Sequence, residues 1–183
     1  MPRAETAVNI VNVVASASLN QNIDLNALVE AFPDAEYRPE QFPGVIFRLK
    51  RPKTATLIFG SGKMVCTGAR SEKEAKKAVK KVIGRLKEGG IPIRGEMTVT
   101  IQNMVASASL GGTVDLVKLY ESARNMGGRV IYEPEQFPGL MYRMIDPKAV
   151  ILIFSSGKLV CTGARTEESV RKAVDEIRQE LEE

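Results

Sequence analysis

Residues 59–70 read FGSGKMVCTGAR, and residues 154–165 read FSSGKLVCTGAR. The duplication extends outward from this stretch, through the pairs IVNVVASASL (10–19) with IQNMVASASL (101–110) and EQFPG (40–44) with EQFPG (135–139). The copies are offset by 91 residues early and by 95 later, so we expect four extra residues in the second copy near 127–130. Two copies are too few for a solenoid. They indicate a pseudo-two-fold pair of repeats, 1–91 and 92–183, in one continuous structural unit.

Each copy has the same order of predicted elements. Residues 8–19 alternate in polarity with the two-residue period of a strand. Asp24 is placed to cap a short helix, and Ser71 with Glu74 forms a capping box that opens a longer one. Further strands are predicted at 45–51, 54–60 and 63–69. Runs of strands with helices on one side predict an α+β fold with an antiparallel sheet.

Composition excludes several classes of enzyme. The chain contains no histidine, which rules out Ser-His-Asp and Cys-His catalysis and every imidazole metal site. Cys66 and Cys161 each lie inside a strand-like run, so we expect two packed, reduced thiols without a disulfide or a metal. Carboxylate chemistry stays open on composition alone. Because the sequence shows neither a catalytic domain nor a clustered acid pair, we predict a protein that is not an enzyme and that uses no cofactor.

Charge is divided unevenly between the halves. Residues 1–91 hold 15 Lys and Arg against 9 Asp and Glu, whereas residues 92–183 hold 11 against 13. The first half is suited to a polyanion and the second to a different partner. No apolar run reaches the ~18–20 residues that span a bilayer, and the first residues lack a signal-peptide pattern. We expect a cytoplasmic protein with no membrane partner.

Strand alternation leaves one face of the predicted sheet without helices, and that face is apolar. If Val13 and Ala15 pack on helices, Asn12 and Val14 point to the other side. The same parity puts Met64, Cys66 and Gly68 behind, and it places on the open side Leu57, Phe59, Lys63, Val65 and Thr67, with Asn103, Val105, Leu152, Phe154, Lys158, Val160 and Thr162 in the second copy. Arginines edge this face at positions 48, 70, 143 and 165. A broad apolar face rimmed by cations marks a binding surface.

The minor groove of double-stranded DNA fits such a surface. At A·T pairs its floor presents only acceptors, arranged alike for A·T and T·A. Asn12 and Asn103 can donate amide hydrogens to those acceptors near a dyad. Val and Leu side chains can pack on the floor where a guanine amino group would clash, and the phenylalanines can act as wedges between base steps.

Four motifs carry a family resemblance. NxVAS, EQFPG, LIFxSGK and VCTGAR each occur twice and in this order, and the chain resembles the TATA-binding protein family from about Val8 to Leu181. The resemblance implies a curved antiparallel β-sheet, the saddle, with helices on its convex face. It also implies a general transcription factor of the archaeal branch that binds A·T-rich TATA-box promoters in the minor groove, kinks them and nucleates preinitiation complex assembly. Minor-groove binding with inserted apolar wedges is known behaviour of this family.

The resemblance further implies roles for single residues. One wedge pair is Phe42 with Phe59, and the other is Phe137 with Phe154. The matches to groove-floor contacts are Asn12, Val14, Val65, Thr67, Asn103, Val105, Val160 and Thr162. The matches to phosphate contacts are Arg48, Ser61, Lys63, Arg70, Arg143, Ser156, Lys158 and Arg165, with Arg70 and Arg165 standing where Lys is common.

A partner site is implied in the second repeat. Glu133, Pro134, Glu135 and Gln136 match the loop that recruits the next initiation factor, here the archaeal counterpart of transcription factor B, with RNA polymerase following indirectly. Eukaryotic members often have an apolar residue where Gln136 stands, so this contact is open to change. The likeness of the two halves indicates that the protein alone sets the binding orientation poorly.

Other interpretations of the same residues stay open. A saddle domain can accompany a catalytic domain in DNA-repair and RNase H proteins, and a sheet can bind single-stranded RNA through exposed aromatic residues. The phenylalanines could be core residues. The lysine-rich face of the helix at 73–87 is either solvated or a docking site for an acidic partner.

Overall fold

The computed structural model describes residues 7–95 and 97–182, which form ten strands and four helices. In the first half these are β1 Val8–Ser18, α1 Leu25–Ala31, β2 Glu36–Tyr37, β3 Val45–Lys50, β4 Lys53–Ile58, β5 Lys63–Ala69 and α2 Glu72–Glu88. In the second half they are β6 Thr98–Ser109, α3 Leu116–Asn125, β7 Arg129–Ile131, β8 Leu140–Met144, β9 Ala149–Ile153, β10 Lys158–Ala164 and α4 Glu167–Glu182. The predicted α+β class is confirmed.

The chain divides into two compact units with the same internal order. The first unit, Asn12–Gln102, has the strand order β2-β3-β4-β5-β1. The second, which combines residues 7–11 with 103–182, has the order β7-β8-β9-β10-β6. The paired strands within each unit run antiparallel. The strands β2 and β7 at the ends of these orders are only two and three residues long, and the sequence did not predict them.

Side-chain hydroxyls and carboxylates begin the helices as the sequence indicates. Asp24 accepts hydrogen bonds from the N–H groups of Asn26 and Ala27, and Ser71 accepts one from Glu74 at 3.0 Å. Thr166 does the same for the N–H of Ser169 at 3.1 Å. Such a cap contributes about 1 kcal/mol to helix stability because it satisfies an otherwise unpaired donor.

The longer helix of each unit buries an apolar stripe. In α2 the buried residues are Ala75, Ala78, Val79, Val82 and Leu86, and in α4 they are Val170, Ala173, Val174 and Ile177. They pack against one face of the sheet, whose buried members include Val13, Cys66, Ile151 and Cys161. The opposite face of each sheet keeps half-exposed side chains, so burial follows the strand parity that the sequence predicts.

One parity expectation is wrong. Gly68 is exposed, and Ala69 is the buried residue that follows Cys66. The cause is a bulge: Ala15 pairs with Cys66, but Val13 pairs with Ala69, so β5 uses one extra residue. The second unit repeats the slip between Cys161 and Ala164. Alternation with period two fails wherever such an extra residue enters a strand.

The extra residues of the second repeat lie mainly in its first helix. Helix α3 has 10 residues whereas α1 has 7, which accounts for three of the four. The insertion therefore begins before the 127–130 region that the sequence indicates. Among the residues the structure describes, no helix is long and apolar enough to cross a membrane.

Two glycines provide a matched test of backbone geometry. Gly62 has φ +90°, and a Cβ there would lie 2.1 Å from the carbonyl oxygen of Gln21. We expect Gly62→Ala to lower the free energy of unfolding by at least about 2 kcal/mol. Gly84 lies within α2 with nothing within 4 Å of an added Cβ, so Gly84→Ala should raise it by about 0.5–1 kcal/mol. Urea unfolding measures the free energy of unfolding of both variants. The same change in Gly62→Ala and in Gly84→Ala would contradict the geometry.

Candidate nucleic-acid interface

The open face is the side of each sheet that points away from α2 or α4. In the first unit its central members are Asn12, Val14, Leu57, Val65 and Thr67, all half-buried. The corresponding residues Asn103, Val105, Leu152, Val160 and Thr162 are half-buried as well. The structure thus brings the predicted groove-floor residues of each repeat onto one uncovered face.

Register orders these side chains into rows across the strands. One row joins Arg48, Ala55 and Thr67, and the next joins Ile46, Leu57, Val65 and Ser16. The second unit has the rows Arg143, Val150, Thr162 and Met141, Leu152, Val160, Ser107. Arg48 therefore ends its row beside Ala55, whereas Arg143, beside Val150, is followed in its row by Arg129 of β7.

Sequence reasoning missed four members of this face. Ile46 and Ala55, with Met141 and Val150 in the second repeat, share rows with residues that were predicted. A signal was available, because residues two positions apart in a strand share a face. Ile46 and Met141 lie two positions from Arg48 and Arg143, and Ala55 and Val150 lie two positions from Leu57 and Leu152, which had all been placed on the face. These four enlarge the apolar part of the surface.

The central asparagines have a defined amide orientation. Asn12 Oδ1 accepts a hydrogen bond from the backbone N–H of Gly68 at 2.7 Å, and Asn103 Oδ1 accepts one from Gly163 at 2.7 Å. A backbone N–H can only donate, so the atom facing it must be the carbonyl oxygen. The NH₂ group of each side chain consequently lies on the other side of the amide.

The bulge and the neighbouring threonine complete this arrangement. Asn12 Nδ2 lies 3.2 Å from Thr67 Oγ1, and Asn103 Nδ2 lies 3.1 Å from Thr162 Oγ1. The NH₂ group has two hydrogens and the threonine oxygen can take only one. Within residues 7–95 and 97–182, at least one N–H of each amide is left for a ligand that accepts hydrogen bonds.

Two aromatic pairs stand at the predicted wedge positions. The rings of Phe42 and Phe59 meet edge to face with centroids 5.7 Å apart, and those of Phe137 and Phe154 do so at 5.8 Å. Phe42 is 38% exposed and Phe137 is 43% exposed, so neither is a core residue. The core alternative therefore does not hold for these two rings.

The glycine of each EQFPG motif permits the pairing. A Cβ at Gly139 would lie 2.8 Å from the ring of Phe137 and 3.0 Å from that of Phe154, and Gly44 is similarly close to Phe42 and Phe59. A larger residue would separate the rings. The motif thus supplies both an exposed ring and the space beside it.

All eight predicted phosphate-binding residues are exposed. Lys63, Arg70, Lys158 and Arg165 are exposed, as are Arg143, Ser61 and Ser156. Arg48 is also exposed but forms an ion pair with Glu36 at 2.6 Å. Both partners have more than half of their side-chain surface in contact with solvent, so the pair is worth at most about 1 kcal/mol. Residue Ile131 takes the place of Glu36 in the second repeat.

The predicted partner loop is exposed between β7 and β8. Glu133, Pro134, Glu135 and Gln136 all face solvent. The N–H groups of Gln136 and Phe137 donate to the carbonyl oxygen of Glu133 at 2.9 and 3.0 Å, which folds the loop into a compact turn. Their side chains are available to a partner.

The two cysteines lie on the covered face, away from this interface. Both are buried and free. Burial raises the pKa of the Cys66 thiol, and it raises the pKa of Cys161 to about 11, so both stay protonated at neutral pH. The described residues contain no group of three or more His, Cys, Asp or Glu side chains that could hold a metal ion.

The chain has two α+β repeats, and each has an apolar sheet face that is edged by cations and not covered by helices. It is therefore a duplicated sheet protein with a binding face. The family model described as Transcription factor TFIID (or TATA-binding protein, TBP) matches residues 7–89 and 98–183. The chain belongs to the TATA-binding protein family.

Archaeal relatives match over almost the whole chain. A TATA-box-binding protein of Sulfurisphaera tokodaii is 53% identical over 177 residues, which is 97% of this chain and 87% of the relative. One of Archaeoglobus fulgidus is 51% identical over 95% of this chain and 94% of its own length. The solved structure of Methanococcus jannaschii TBP matches with a TM-score of 0.82 and 48% identity, covering 96% of this chain and 98% of that one.

Proposed function

We propose that this protein is a non-enzymatic general transcription factor that binds the minor groove of A·T-rich TATA-box promoter DNA. In this proposal it kinks the DNA and nucleates preinitiation complex assembly. The observation that carries it is the pair of asparagine amides, each oriented by a bulge N–H so that a donor remains on an apolar face. Membership of the family supports the same reading.

The amides match the chemistry of the groove floor. Adenine N3 and thymine O2 are acceptors in equivalent positions, so one donor serves A·T and T·A alike. A guanine amino group is itself a donor and would face the NH₂ group of Asn12 or Asn103 without an acceptor. Leu57 and Leu152 add apolar contact where that amino group would also need space.

The aromatic pairs supply the kink. An exposed ring such as Phe42, braced edge to face by Phe59, can enter a base step and unstack it, and Phe137 with Phe154 does so in the other repeat. Unstacking costs a few kcal/mol per step, which favours flexible pyrimidine–purine steps such as TA. Selectivity then comes from DNA deformability as well as from the groove floor.

The cations of the rim would hold the phosphate backbones. Lys63, Arg70, Lys158 and Arg165 are exposed and can neutralise phosphates, releasing counterions. Arg48 would exchange Glu36 for a phosphate, which costs little because the ion pair is exposed. This contribution to affinity weakens as salt concentration rises.

The exposed loop at Glu133, Glu135 and Gln136 would bind the archaeal counterpart of transcription factor B, and RNA polymerase would follow indirectly. Because the two repeats present nearly the same groove-floor residues, this partner would set the orientation of the complex. The site of action would be the nucleoid in the cytoplasm.

An isosteric change tests the donor. In Asn103→Asp the carboxylate can still accept from Gly163, but it replaces the NH₂ group with a negatively charged acceptor. We expect affinity for a TATA duplex to fall at least about a hundredfold, from a lost hydrogen bond to the floor and an unpaired charge in the groove. Fluorescence anisotropy measures the binding, and urea unfolding checks the fold. Unchanged affinity in a folded variant would show that the Asn103 amide does not contact the DNA.

Truncating a wedge should separate bending from folding. Phe154 is half-buried against Phe137, so Phe154→Ala removes the ring that braces the exposed one. We expect weaker binding and a smaller bend, measured by energy transfer between dyes at the two ends of a TATA duplex. Phe154→Leu, which retains an apolar wedge, should recover part of the bend. A full bend in Phe154→Ala would contradict the wedge role.

Reversing charge in the loop tests the partner site. Glu133→Arg with Glu135→Arg changes two exposed side chains that lie outside the open face. We expect promoter binding to be kept and the ternary complex with the archaeal counterpart of transcription factor B to be lost, because like charges replace complementary ones. Gel mobility shift with both proteins shows the result. A ternary complex of normal affinity would refute the assignment.

A further inference from the structure

One glutamine side chain fastens the segment between α2 and β6 to the first unit. Gln21 lies in the loop between β1 and α1. Its Nε2 atom donates a hydrogen bond to the carbonyl oxygen of Pro92 at 2.8 Å, and its Oε1 atom accepts one from the N–H of Arg94 at 2.8 Å. A peptide N–H can only donate and a peptide carbonyl oxygen can only accept, so both ends of the amide are specified. The backbone of Arg94 is therefore held in place by Gln21.

The loop that carries Gln21 is bonded in turn to the β4–β5 turn. The N–H of Leu19 donates to the carbonyl oxygen of Gly62 at 3.1 Å, and the N–H of Ile23 donates to that of Gly60 at 2.9 Å. Between these bonds the two backbones touch, because a Cβ at Gly62 would lie 2.1 Å from the carbonyl oxygen of Gln21. Arg94 is thus connected through Gln21 to this turn.

The β4–β5 turn presents two of the predicted phosphate-binding residues. Ser61 and Lys63 both lie in or next to it, and both are exposed. Arg94 is exposed as well, and within residues 7–95 and 97–182 no carboxylate forms an ion pair with it. A guanidinium keeps its positive charge at any physiological pH and can donate two hydrogen bonds to one phosphate.

A second contact shows how close the segment comes to Lys63. Gln102 of β6 donates a hydrogen bond from Nε2 to Ser16 Oγ of β1 at 2.7 Å. Arg94 and Gln102 thus lie beside residues 21 and 16, and Ser18, between those two positions, pairs in register with Lys63. The segment that carries Arg94 therefore borders the strand end at which Lys63 lies.

The second unit has a comparable neighbourhood without the glutamine. There Ala7 and Asn9, at the beginning of β1, line one hollow with Ser156 and Lys158. The corresponding loop and turn also touch, because a Cβ at Gly157 would lie 2.0 Å from the carbonyl oxygen of Gly112.

Gly112 is the residue that stands where Gln21 stands in the first repeat. Since the loop packs on its turn in both repeats, that packing does not require the amide of Gln21. The two hydrogen bonds of the amide serve the connecting segment alone.

We propose that Arg94 binds a phosphate of the DNA backbone next to those held by Ser61 and Lys63, and that Gln21 is its positioning residue. The inference rests on the proposed binding of promoter DNA and adds to it a contact from outside the sheet. Three phosphate-binding groups along one stretch of backbone reinforce one another's field. Because Gln21 has already ordered the backbone of Arg94, less conformational freedom is lost when the DNA binds.

The salt dependence of DNA affinity tests the contact. Each phosphate contact contributes about 0.9 to the slope of log K against log salt concentration. We expect Arg94→Gln to make the slope for a TATA duplex shallower by about 0.9 and, at low salt, to weaken binding at least about threefold. Arg94→Lys, which keeps the charge, should keep the slope. Fluorescence anisotropy at several salt concentrations gives both quantities.

The matched control is Arg124→Gln, which removes the same charge from an exposed position of α3. It should leave the slope unchanged. A slope for Arg94→Gln equal to that of the unmodified protein, or an equal loss in Arg124→Gln, would overturn the contact.

A double-mutant cycle tests the positioning role. Gln21→Ala removes both hydrogen bonds to the connecting segment. We expect it to weaken binding and make the slope shallower, and we expect Arg94→Gln to cost less affinity in the Gln21→Ala background than in the unmodified protein. A merely structural role would lower the free energy of unfolding in urea but leave the salt slope intact and the two losses of affinity additive. Additive losses would therefore refute positioning.

Base selectivity separates this inference from promoter recognition. The second duplex has one A·T pair of the TATA box replaced by G·C. Phosphate contacts carry no sequence information directly, so Arg94→Gln should weaken binding to both duplexes and preserve the ratio of their affinities. No preference between the duplexes in the unmodified protein would refute promoter recognition. A clear preference with an unchanged slope in Arg94→Gln would refute only the contact of Arg94.

Discussion

The hydrogen bond from a bulge N–H to an asparagine carbonyl oxygen is the constraint on which the binding face depends. Without it, the amides of Asn12 and Asn103 could rotate and present either an acceptor or a donor. At the extra residue in β5 and in β10, the N–H of Gly68 or Gly163 donates to the side chain of the asparagine. The bulge thus decides that each amide presents a hydrogen-bond donor, rather than an acceptor, on the open face.

The two repeats have diverged on one side and not on the other. The central residues of the open face are the same in both copies, from the asparagines to the threonines. On the helix side, Lys81 and Arg85 correspond to Glu176 and Glu180, and α3 is three residues longer than α1. A face that binds a nearly symmetric ligand is expected to keep the same residues in both repeats. Surfaces that bind different proteins can differ in charge between the repeats.

Much of this could be predicted from the sequence. The duplication, the helix caps and the strand parity gave the α+β class and most of the open face, because periodicity and capping depend on residues close in the chain. The exposure of Gly68, the short edge strands and the members Ile46 and Met141 were not predicted. A bulge and an edge pairing depend on which strands become neighbours, and alternation within one strand does not contain that information. The cluster of Phe32, Phe47 and Arg85 was likewise not predicted, since these side chains meet only after folding.

The ion pair between Arg48 and Glu36 has a consequence for polarity. The first repeat holds the Glu36 carboxylate beside Arg48, and the second holds Ile131 in place of Glu36. Arg143 pairs in register with Arg129 and forms no ion pair with any residue in the described ranges. Arg48 must therefore break its ion pair with Glu36 before it can bind another anion, whereas Arg143 has no such ion pair to break. The arginines of the two repeats therefore differ by no more than about 1 kcal/mol in the free energy of binding the same anion, an asymmetry that the central residues of the open face do not have.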